Sequence, residues 1–406
     1  MTLWLRTTAL VGSLILPIAA SADGLPSEAT SAELGAGHEP GAKGDAAVDD
    51  DSAAPGDGEG AGEIESREIP TDADGTPRFT ADLPDAELER RWVDDLPSLG
   101  SISVGFADAG RLINGVQVPA GEAWRVLVPE YAWGTQETVA AIEVVARAVR
   151  ERFPDAPPLP VSHMSKHDGG WLRPHQSHQS GRDVDLGFYA KPGVAVAAVS
   201  GKHTESLDAP QNWALIRALA TDTDVAVILV DRRVIDLLYA TALAAGEDRG
   251  WLDAIFLGKE PLVQHARGHR DHFHVRFFAP RSQELGRRVQ PLLAKRPDEN
   301  RIAVRVHGGD TLGHLAVRYN STVGLIQNAN GMRGSFLHIG QTLSIPMRGP
   351  CTRCPLPPPA VVPPRRLPPS LAVSHEATAD AAAAVAPVSS VSARNTGAAG
   401  ALPQPR

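Results

Sequence analysis

The most regular apolar pattern in the chain predicts one long amphipathic helix. It begins after Thr135, whose hydroxyl can accept an N-cap hydrogen bond, and it ends before Pro154, which cannot continue a helix. The apolar positions between these two residues are three or four residues apart, as on one face of a helix. They are Val139, Ile142, Ala146, Val149 and Phe153.

Other segments predict a mixture of helices and strands. A weaker helical pattern covers residues 213–220, the apolar run at 225–230 suits a buried strand, and residues 237–242 indicate another helix. No repeat of fixed period is present in the sequence. Helices interspersed with short strands favour an α+β domain over a helical bundle or a repeat array.

Two short segments alternate between polar and apolar side chains with the two-residue period of a strand. One alternation places His272, His274 and Arg276 on the same face, and the other does so for Asp183 and Asp185. The apolar residues between them predict that the opposite faces pack in a core. The polar faces therefore predict a site.

Composition divides the chain into folded and unfolded parts. Glycine (38) and proline (34) are abundant among the 406 residues, and residues 23–90 hold 19 Asp and Glu against 4 Lys and Arg. We predict a disordered acidic linker at 23–90, too poor in apolar side chains to offset the entropy of ordering, and a disordered Pro- and Ala-rich tail at 349–406. Residues 91–286 and 302–348 then form two folded units, joined by a linker at 287–301.

Charge and hydropathy exclude two classes of partner. The net charge is −9, and the acidic linker dominates it, so no basic face for nucleic acid is predicted. After the first 20 residues no apolar run approaches the roughly 18 residues needed to cross a bilayer, so no stable membrane anchor is expected.

The N-terminus predicts export. Met1–Ala22 combines Arg6, an apolar stretch ending at Ala20, and small residues before Asp23, the features of a secretory signal peptide. The alternative is an uncleaved membrane anchor. The two cysteines, Cys351 and Cys354, are too few for a four-thiolate zinc site and are flanked by prolines rather than by the strand and helix of a redox motif, which favours a local disulfide.

Histidines concentrate where the polar alternations lie. Nine of the 14 histidines fall between His163 and His274. A buried carboxylate facing several imidazoles requires a cation or hydrogen bonds. Imidazoles with one carboxylate and an open position for water are the ligand set of a catalytic zinc, although no His-Glu-x-x-His motif is present. The alternative is a hydrogen-bonded or pH-sensing histidine network.

The spacing of His178 and Asp185, followed by the pair His272-x-His274, resembles the penicillin-insensitive murein endopeptidases of the LAS group of zinc peptidases. The resemblance covers residues 96–282. It implies an α+β fold with a small antiparallel sheet and flanking helices. Further matches are Ser103-Val-Gly105, Gly110-Arg-Leu112, Trp133-Gly134-Thr135, Gly169-Gly170 and residues 268–276.

The resemblance also implies roles for individual residues. It makes His178, Asp185 and His274 the expected Zn²⁺ ligands, with His175 as an additional ligand candidate. His272 and His269 resemble histidines that the family needs for activity. Because they neighbour the last ligand, we expect His272 to act as general base or transition-state stabiliser, with His269 as the alternative.

Other polar residues near these motifs have open roles. We expect Asp183 to hold a ligand's ring nitrogen or nearby backbone rather than the metal, and Arg276 to pair with a substrate carboxylate or with Asp183. The family's Asp-Gly-Lys-His element is Ser200-Gly-Lys-His203 here, which leaves His203 as the only candidate for a second zinc site. His163 and His167 belong to a flexible active-site rim or to an exposed loop.

Residues 304–346 resemble a LysM domain, a βααβ module that binds N-acetylglucosamine-containing glycans such as peptidoglycan. Asp310 is the expected cap of its first helix, and residues 323–330 form the second. The apolar face of the first helix is Leu312, Leu315, Ala316 and Tyr319. The alternative is a structural module without ligand affinity. The loops at 309–311 and 328–331 are the expected glycan contacts.

Together these features predict an exported zinc endopeptidase, periplasmic or secreted, that hydrolyses D-alanyl to diaminopimelate cross-links in peptidoglycan. Being a metalloenzyme, it should not be inhibited by β-lactams, which acylate serine. The LysM domain would act as a tether that raises the local concentration of the enzyme. The alternatives are a non-catalytic wall-binding or amidase-regulating protein, and a D,D-carboxypeptidase or dipeptidase of the same zinc group.

Overall fold

The computed structural model of the chain describes residues 71, 75, 78–194 and 203–369. These residues lie within one compact unit. The predicted signal peptide, the first part of the predicted acidic linker, residues 200–202 and the end of the predicted tail fall outside the described residues. Within the described ranges no helix is both long and apolar enough to cross a membrane.

A six-stranded sheet and the helices packed on it form the larger part of the fold. The first ten strands are β1 Ile102–Gly105, β2 Gly110–Ile113, β3 Val116–Gln117, β4 Trp124–Val126, β5 Trp133–Gly134, β6 Leu159–Val161, β7 Asp183–Gly187, β8 Val225–Val230, β9 Val263–His265 and β10 His272–Phe277. The helices are α1 Asp85–Asp94, α2 Gln136–Arg152, α3 Ala209–Asp222, α4 Arg232–Ala244, α5 Arg249–Phe256 and α6 Pro280–Val289. The sheet order is β4-β6-β7-β10-β8-β9, while β1 with β2 and β3 with β5 form separate pairs.

The predicted helices and strands of this part are confirmed. Thr135 caps α2, since its hydroxyl accepts a hydrogen bond from the Thr138 N–H at 3.2 Å. The apolar run at 225–230 is β8, and the two weaker helical patterns lie within α3 and α4. The α+β prediction is correct, and the centre of the sheet is antiparallel as expected. Its two edge pairs, β4 with β6 and β8 with β9, are parallel, because longer connections return these strands in the same direction.

Strand register positions the polar residues. β10 pairs with β7 so that His274 lies opposite Asp185 and Arg276 lies opposite Asp183. On the other face Phe273 and Val275 are fully buried in a core that also contains residues of α2, α3, α4 and α5. Burial of that apolar face fixes the strand, because a slip of one residue would turn every side chain over.

The boundary of the predicted acidic linker was placed too late. Helix α1 begins at Asp85, and its Leu88 and Trp92 are buried one helical turn apart. The Trp92 Nε1–H donates to the backbone oxygen of Leu292 at 3.0 Å. Residues 78–90 are therefore part of the fold, because a few apolar side chains at helical spacing suffice to bury this short segment.

The predicted linker at 287–301 is also wrong in structural terms. Helix α6 runs to Val289 and continues into a 3-10 helix at Gln290–Lys295, and Val289 and Leu293 are buried. These side chains belong to a second core that joins α1, β1, β2 and α6 to the C-terminal module. The charged residues of this segment masked an apolar face with a spacing of four residues.

The C-terminal module has the predicted βααβ order. Its elements are β11 Arg301–Arg305, α7 Leu312–Arg318, α8 Val323–Ala329 and β12 Thr342–Pro346, with β11 antiparallel to β12. All four predicted apolar side chains of α7 are buried. The predicted cap was wrong by one residue: the Thr311 hydroxyl accepts from the His314 N–H, whereas the Asp310 carboxylate accepts from the His307 N–H in the preceding turn.

Part of the predicted C-terminal tail packs on the fold. Cys351 and Cys354 form the predicted disulfide and lie against the second core. Further on, Arg365 forms an ion pair with Asp224 at 3.1 Å. The backbone oxygen of Arg366 accepts a hydrogen bond from the Trp251 Nε1–H. Prolines preset an extended chain, so residues 349–369 can lie along the surface without regular secondary structure.

Candidate metal centre and active site

Three side chains from two neighbouring strands and one loop converge on a point. The His178 Nε2 and His274 Nδ1 atoms are 3.1 Å apart, and each lies 3.2 Å from the Asp185 Oδ1. All three residues are buried. Ligand atoms at tetrahedral angles about 2.0–2.2 Å from zinc lie about 3.3–3.6 Å apart, so this triangle is close in size to one face of a zinc tetrahedron.

The surroundings of this triangle fit a cation. The Asp185 Oδ1 is buried and accepts no hydrogen bond among the described residues, although ring nitrogens of three histidines lie within 3.5 Å of it. Burial raises the pKa of Asp185, but His178 and the other histidines outweigh that effect and hold it well below its usual range. An ionised, buried oxygen without a hydrogen-bond donor is costly unless a positive charge lies beside it. The donor set of two imidazoles and one carboxylate suits zinc.

The tautomer of His178 is set by a backbone group. Its Nδ1–H donates to the Met164 backbone oxygen at 2.8 Å, which leaves the Nε2 lone pair facing the centre. Proteins usually orient a metal-binding histidine in this way: the ring N–H that does not face the metal donates to a backbone carbonyl or a carboxylate. His178 also has a φ of 63°, a left-handed conformation that is rare for residues other than glycine.

Asp183 stabilises that conformation and joins it to β10. Its Oδ2 accepts from the His178 backbone N–H at 3.1 Å, and its Oδ1 accepts from the Arg276 Nε–H at 2.6 Å. The His274 Nε2 lies 3.5 Å from the same Oδ1. Burial lowers the pKa of His274, but Asp183 and Asp185 outweigh it and raise this pKa to about 9. The structure thus pairs Arg276 with Asp183, one of the two roles predicted for it.

His272 lies on the same face of β10 as His274, nearer to solvent. Its Nε2 is 3.5 Å from the Asp185 Oδ1, and its Nδ1–H donates to the exposed Asp271 carboxylate at 2.8 Å. Burial lowers the pKa of His272, while Asp271 and Asp185 raise it, and the net change is upward. The carboxylate of Asp271 orients the ring so that its Nε2 faces the centre.

His269 lies behind this pair. Its ring centroid is 5.1 Å from that of His272 and 5.4 Å from that of His274, and its Nδ1–H donates to the Arg267 backbone oxygen at 3.0 Å. His269 is buried, whereas His272 is partly exposed. The structure brings both predicted catalytic histidines to the centre, and His272 is the one that a substrate in solvent can reach.

His175 lies beside the centre, on the side of the other carboxylate oxygen. Its Nδ1 is 3.9 Å from the Asp185 Oδ2, and its ring is 4.5 Å from that of His178 and 4.9 Å from that of His163. Burial and the neighbouring His178 lower the pKa of His175 to about 3. His163 therefore belongs to the site rather than to a remote loop.

Two other predicted positions are peripheral. His203 is exposed and contacts Glu205 at 3.2 Å, and it belongs to neither of the groups of His and Asp that can hold an ion within the described ranges. His167 is also exposed, with its ring 4.6 Å from that of Trp133. Neither residue contributes to the centre.

The C-terminal module contacts the loop that carries His175 and His178. Arg305 donates to Asp108 at 2.9 Å and to the Gln176 Oε1 at 2.7 Å. The buried Gln179 donates from its Nε2 to the Thr342 hydroxyl at 3.1 Å. Gln176 follows His175 and Gln179 follows His178, so the module supports the loop at the centre.

A cavity of about 450 Å³ lies where the module meets the larger domain. The larger domain contributes the segment 166–171, with the aromatic ring of Trp171, and the module contributes polar groups from Asn330, Gln341 and Ser344. Aromatic and hydrogen-bonding side chains around a cavity of this size suit a polar ligand such as a sugar.

Sequence reasoning missed two contributions to this site and left a third, that of His163, open between two positions. The Met164 carbonyl carries no side-chain signal, so only the structure assigns it to His178. Asp271 adjoins a predicted catalytic residue, and that adjacency was the available signal. His163 was included in the histidine cluster, but its distance from Asp185 depends on how the loop folds.

Comparisons with known proteins agree with this arrangement. Residues 103–299 match the family described as penicillin-insensitive murein endopeptidase, and residues 304–346 match the LysM domain. Penicillin-insensitive murein endopeptidases of Yersinia pestis bv. Antiqua (strain Antiqua) and Yersinia pseudotuberculosis serotype I (strain IP32953) are 35% identical to this chain over 119 residues, or 26% of the chain. The chain spans 39% of the length of these relatives.

The family matches cover the six-stranded sheet, both strands of the histidine cluster and all of the C-terminal βααβ module except the first three residues of β11. Residues 103–299 therefore form a domain of the penicillin-insensitive murein endopeptidase family, and residues 304–346 form a LysM domain.

Proposed function

We propose that this protein is a zinc-dependent endopeptidase that hydrolyses peptide cross-links of peptidoglycan between D-alanine and diaminopimelate. The observation that carries the proposal is the buried triangle of His178, Asp185 and His274, in which the Asp185 Oδ1 accepts no hydrogen bond from the part of the chain that the structure describes. The family match of the surrounding domain supports murein as the substrate.

In this proposal His178, Asp185 and His274 hold the Zn²⁺ ion. Bound zinc supplies a water molecule whose pKa is lowered to about 7 and polarises the carbonyl under attack. Asp183 contributes by keeping the His178 backbone and the His274 ring in place. Its own contacts to Arg276 and to a backbone N–H make it unsuited to bind the ion.

His272 is the proposed general base. Because the His272 Nδ1–H donates a hydrogen bond to Asp271, the lone pair of the His272 Nε2 faces the centre. It can accept a proton from the attacking water. The same nitrogen can then donate that proton to the leaving amine. His269, which is more buried and also lies near His274, is proposed to stabilise charge in the transition state rather than to exchange protons.

The LysM domain is proposed to bind the glycan of peptidoglycan in a fixed orientation. Arg305 and Thr342 contact the loop that carries His175 and His178, which we call the histidine loop. These contacts and the shared second core hold the LysM domain against the peptidase domain. The sequence predicted a tether across a short linker, whereas these contacts hold the two domains directly against each other. The polymer would pass the cavity between the two domains, which places its stem peptides near the metal centre.

We further infer that the enzyme works outside the cytoplasm, where its substrate is, after cleavage of the N-terminal signal peptide near Ala22. The disulfide between Cys351 and Cys354 supports this location, because disulfides persist in oxidising compartments. N-terminal sequencing of the mature protein recovered from the periplasm or medium tests it. A mature protein that starts at Met1 would contradict the inference.

The function is tested by digesting purified cross-linked muropeptides and identifying the products by mass spectrometry. We expect the wild type to convert dimers into monomers, a chelator to abolish this, and added zinc to restore it. His178→Ala should be inactive yet folded, while His265→Ala, which changes an exposed histidine on β9, should behave as the wild type. Release of a single terminal residue would indicate a carboxypeptidase, and binding without products would indicate a non-catalytic wall protein.

A further inference from the structure

The two oxygens of Asp185 face different histidines. Its Oδ1 lies 3.2 Å from ring nitrogens of both His178 and His274, whereas its Oδ2 lies 3.9 Å from the His175 Nδ1. A carboxylate can bind one cation through each oxygen. The side of Asp185 that the proposed zinc does not use therefore has its own potential ligand.

His163 lies on that second side. The Asp185 backbone N–H donates to the His163 backbone oxygen at 2.9 Å, which holds His163, two residues after β6, beside Asp185 in the middle of β7. The His163 ring lies between two others, with centroid distances of 5.7 Å to Tyr131, roughly parallel, and 4.9 Å to His175. This packing holds the imidazole near the carboxylate.

One ring nitrogen of His163, one ring nitrogen of His175 and one carboxylate oxygen of Asp185 all lie within 4.8 Å of one another. By the same criterion, Asp185 also forms a group with His178 and His274. Among the described residues Asp185 therefore belongs to both groups, whereas His175 belongs only to the group that contains His163. The geometry thus separates His175 from the centre for which it was an additional candidate.

We propose that His163, His175 and the Oδ2 of Asp185 form a second site for a divalent transition-metal ion, bridged to the zinc centre by the Asp185 carboxylate. Two imidazoles and a carboxylate favour Zn²⁺ or Co²⁺ over Ca²⁺ and Mg²⁺, which prefer oxygen ligands. Metal pairs in hydrolases lie about 3.5–4 Å apart and can share the charge that develops during hydrolysis. The inference rests on the proposed zinc centre.

The test measures bound metal per chain. The protein is stripped with a chelator, reloaded with Zn²⁺, and its metal content is determined by mass spectrometry after removal of free ions. His163→Phe keeps an aromatic ring against Tyr131 but removes the ring nitrogens, and His175→Ala removes the other ligand. His265→Ala and His203→Ala serve as histidine controls, and circular dichroism checks that each variant is folded.

We expect about two ions per chain in the wild type and in both controls, and about one in His163→Phe and His175→Ala. With Co²⁺ in place of Zn²⁺, electron paramagnetic resonance should show coupling between two ions in the wild type and both controls, but not in His163→Phe or His175→Ala. A wild type with one ion overturns the second site and leaves the zinc proposal intact. If His175→Ala then weakens binding of that single ion while His163→Phe does not, His175 is a ligand of the first centre.

Two ions in His163→Phe would also overturn the inference. Loss of the second ion in His203→Ala would assign it to another position. A wild type that binds no metal would instead refute the proposed zinc function itself. The failure of the further inference and the failure of the function are thus distinguishable.

Discussion

Replacement of Asp183 by asparagine removes the group that connects β7, β10 and the histidine loop. Asp183 is fully buried, and two donors converge on its carboxylate, the Arg276 Nε–H and the His178 backbone N–H. An amide has a single acceptor oxygen, so one of these donors loses its partner. Asparagine also lacks the negative charge that faces His274.

The magnitude follows from these contacts. A hydrogen bond to a charged group contributes about 1.5–3 kcal/mol, and loss of a partner that orients a metal-binding histidine typically weakens metal binding by about 10- to 100-fold. We therefore expect Asp183→Asn to bind Zn²⁺ about 10- to 100-fold more weakly than the wild type. The left-handed backbone of His178, which loses one of its supports, adds to the same effect.

Affinity is measured by competition with a chromogenic chelator, and stability of the metal-free protein by chemical unfolding. Asp82→Asn, at an exposed position, serves as a control that should leave both quantities unchanged. A Zn²⁺ affinity of Asp183→Asn within about twofold of the wild type would refute the assigned role. It would show that the three ligands are held without this carboxylate.

Three further predictions concern the base, the second core and the docking of the LysM domain. Asp271→Asn should lower kcat about 10- to 100-fold and leave the Zn²⁺ affinity unchanged, because Asp271 orients the ring of His272 but contacts no proposed zinc ligand. Equal losses of kcat and of Zn²⁺ affinity would contradict the base assignment. Leu293→Ala should lower the free energy of unfolding by about 2–5 kcal/mol, measured with denaturant, whereas a flexible linker would tolerate it within about 0.5 kcal/mol. Arg305→Ala should release Gln176 and lower cleavage of insoluble peptidoglycan about fivefold relative to soluble muropeptides, measured by product release; an unchanged ratio would argue against fixed docking.

Local patterns sufficed for much of this fold. The cap at Thr135, the strand at Val225–Val230 and the two polar faces of β7 and β10 were predictable, because each depends on the side chains of one short segment. The four residues of the LysM helix face were predictable for the same reason. A pattern of this kind states which side of an element is buried, and burial then follows in any compact fold.

The domain boundaries required the tertiary structure. Charged and proline-rich residues at 287–301 predicted a linker, yet Leu293 is buried in a core shared by the first helix and the LysM domain. The burial of Leu293 depends on partners about two hundred positions away, such as Trp92, whose indole N–H donates to the backbone oxygen of the neighbouring Leu292. Composition within a window cannot indicate such partners.

The sequence alone determined which residues are chemically able to form the site, since imidazoles and carboxylates with strand periodicity are visible in it. The tertiary structure decided which donor atoms meet. It brought His178 within 3.1 Å of His274 although 96 positions separate them, turned one oxygen of Asp185 toward each group of histidines, and placed the LysM domain on the histidine loop. The physical reason is that spacing along a strand fixes the face of a side chain, whereas distances between segments are set by the packing of the whole core.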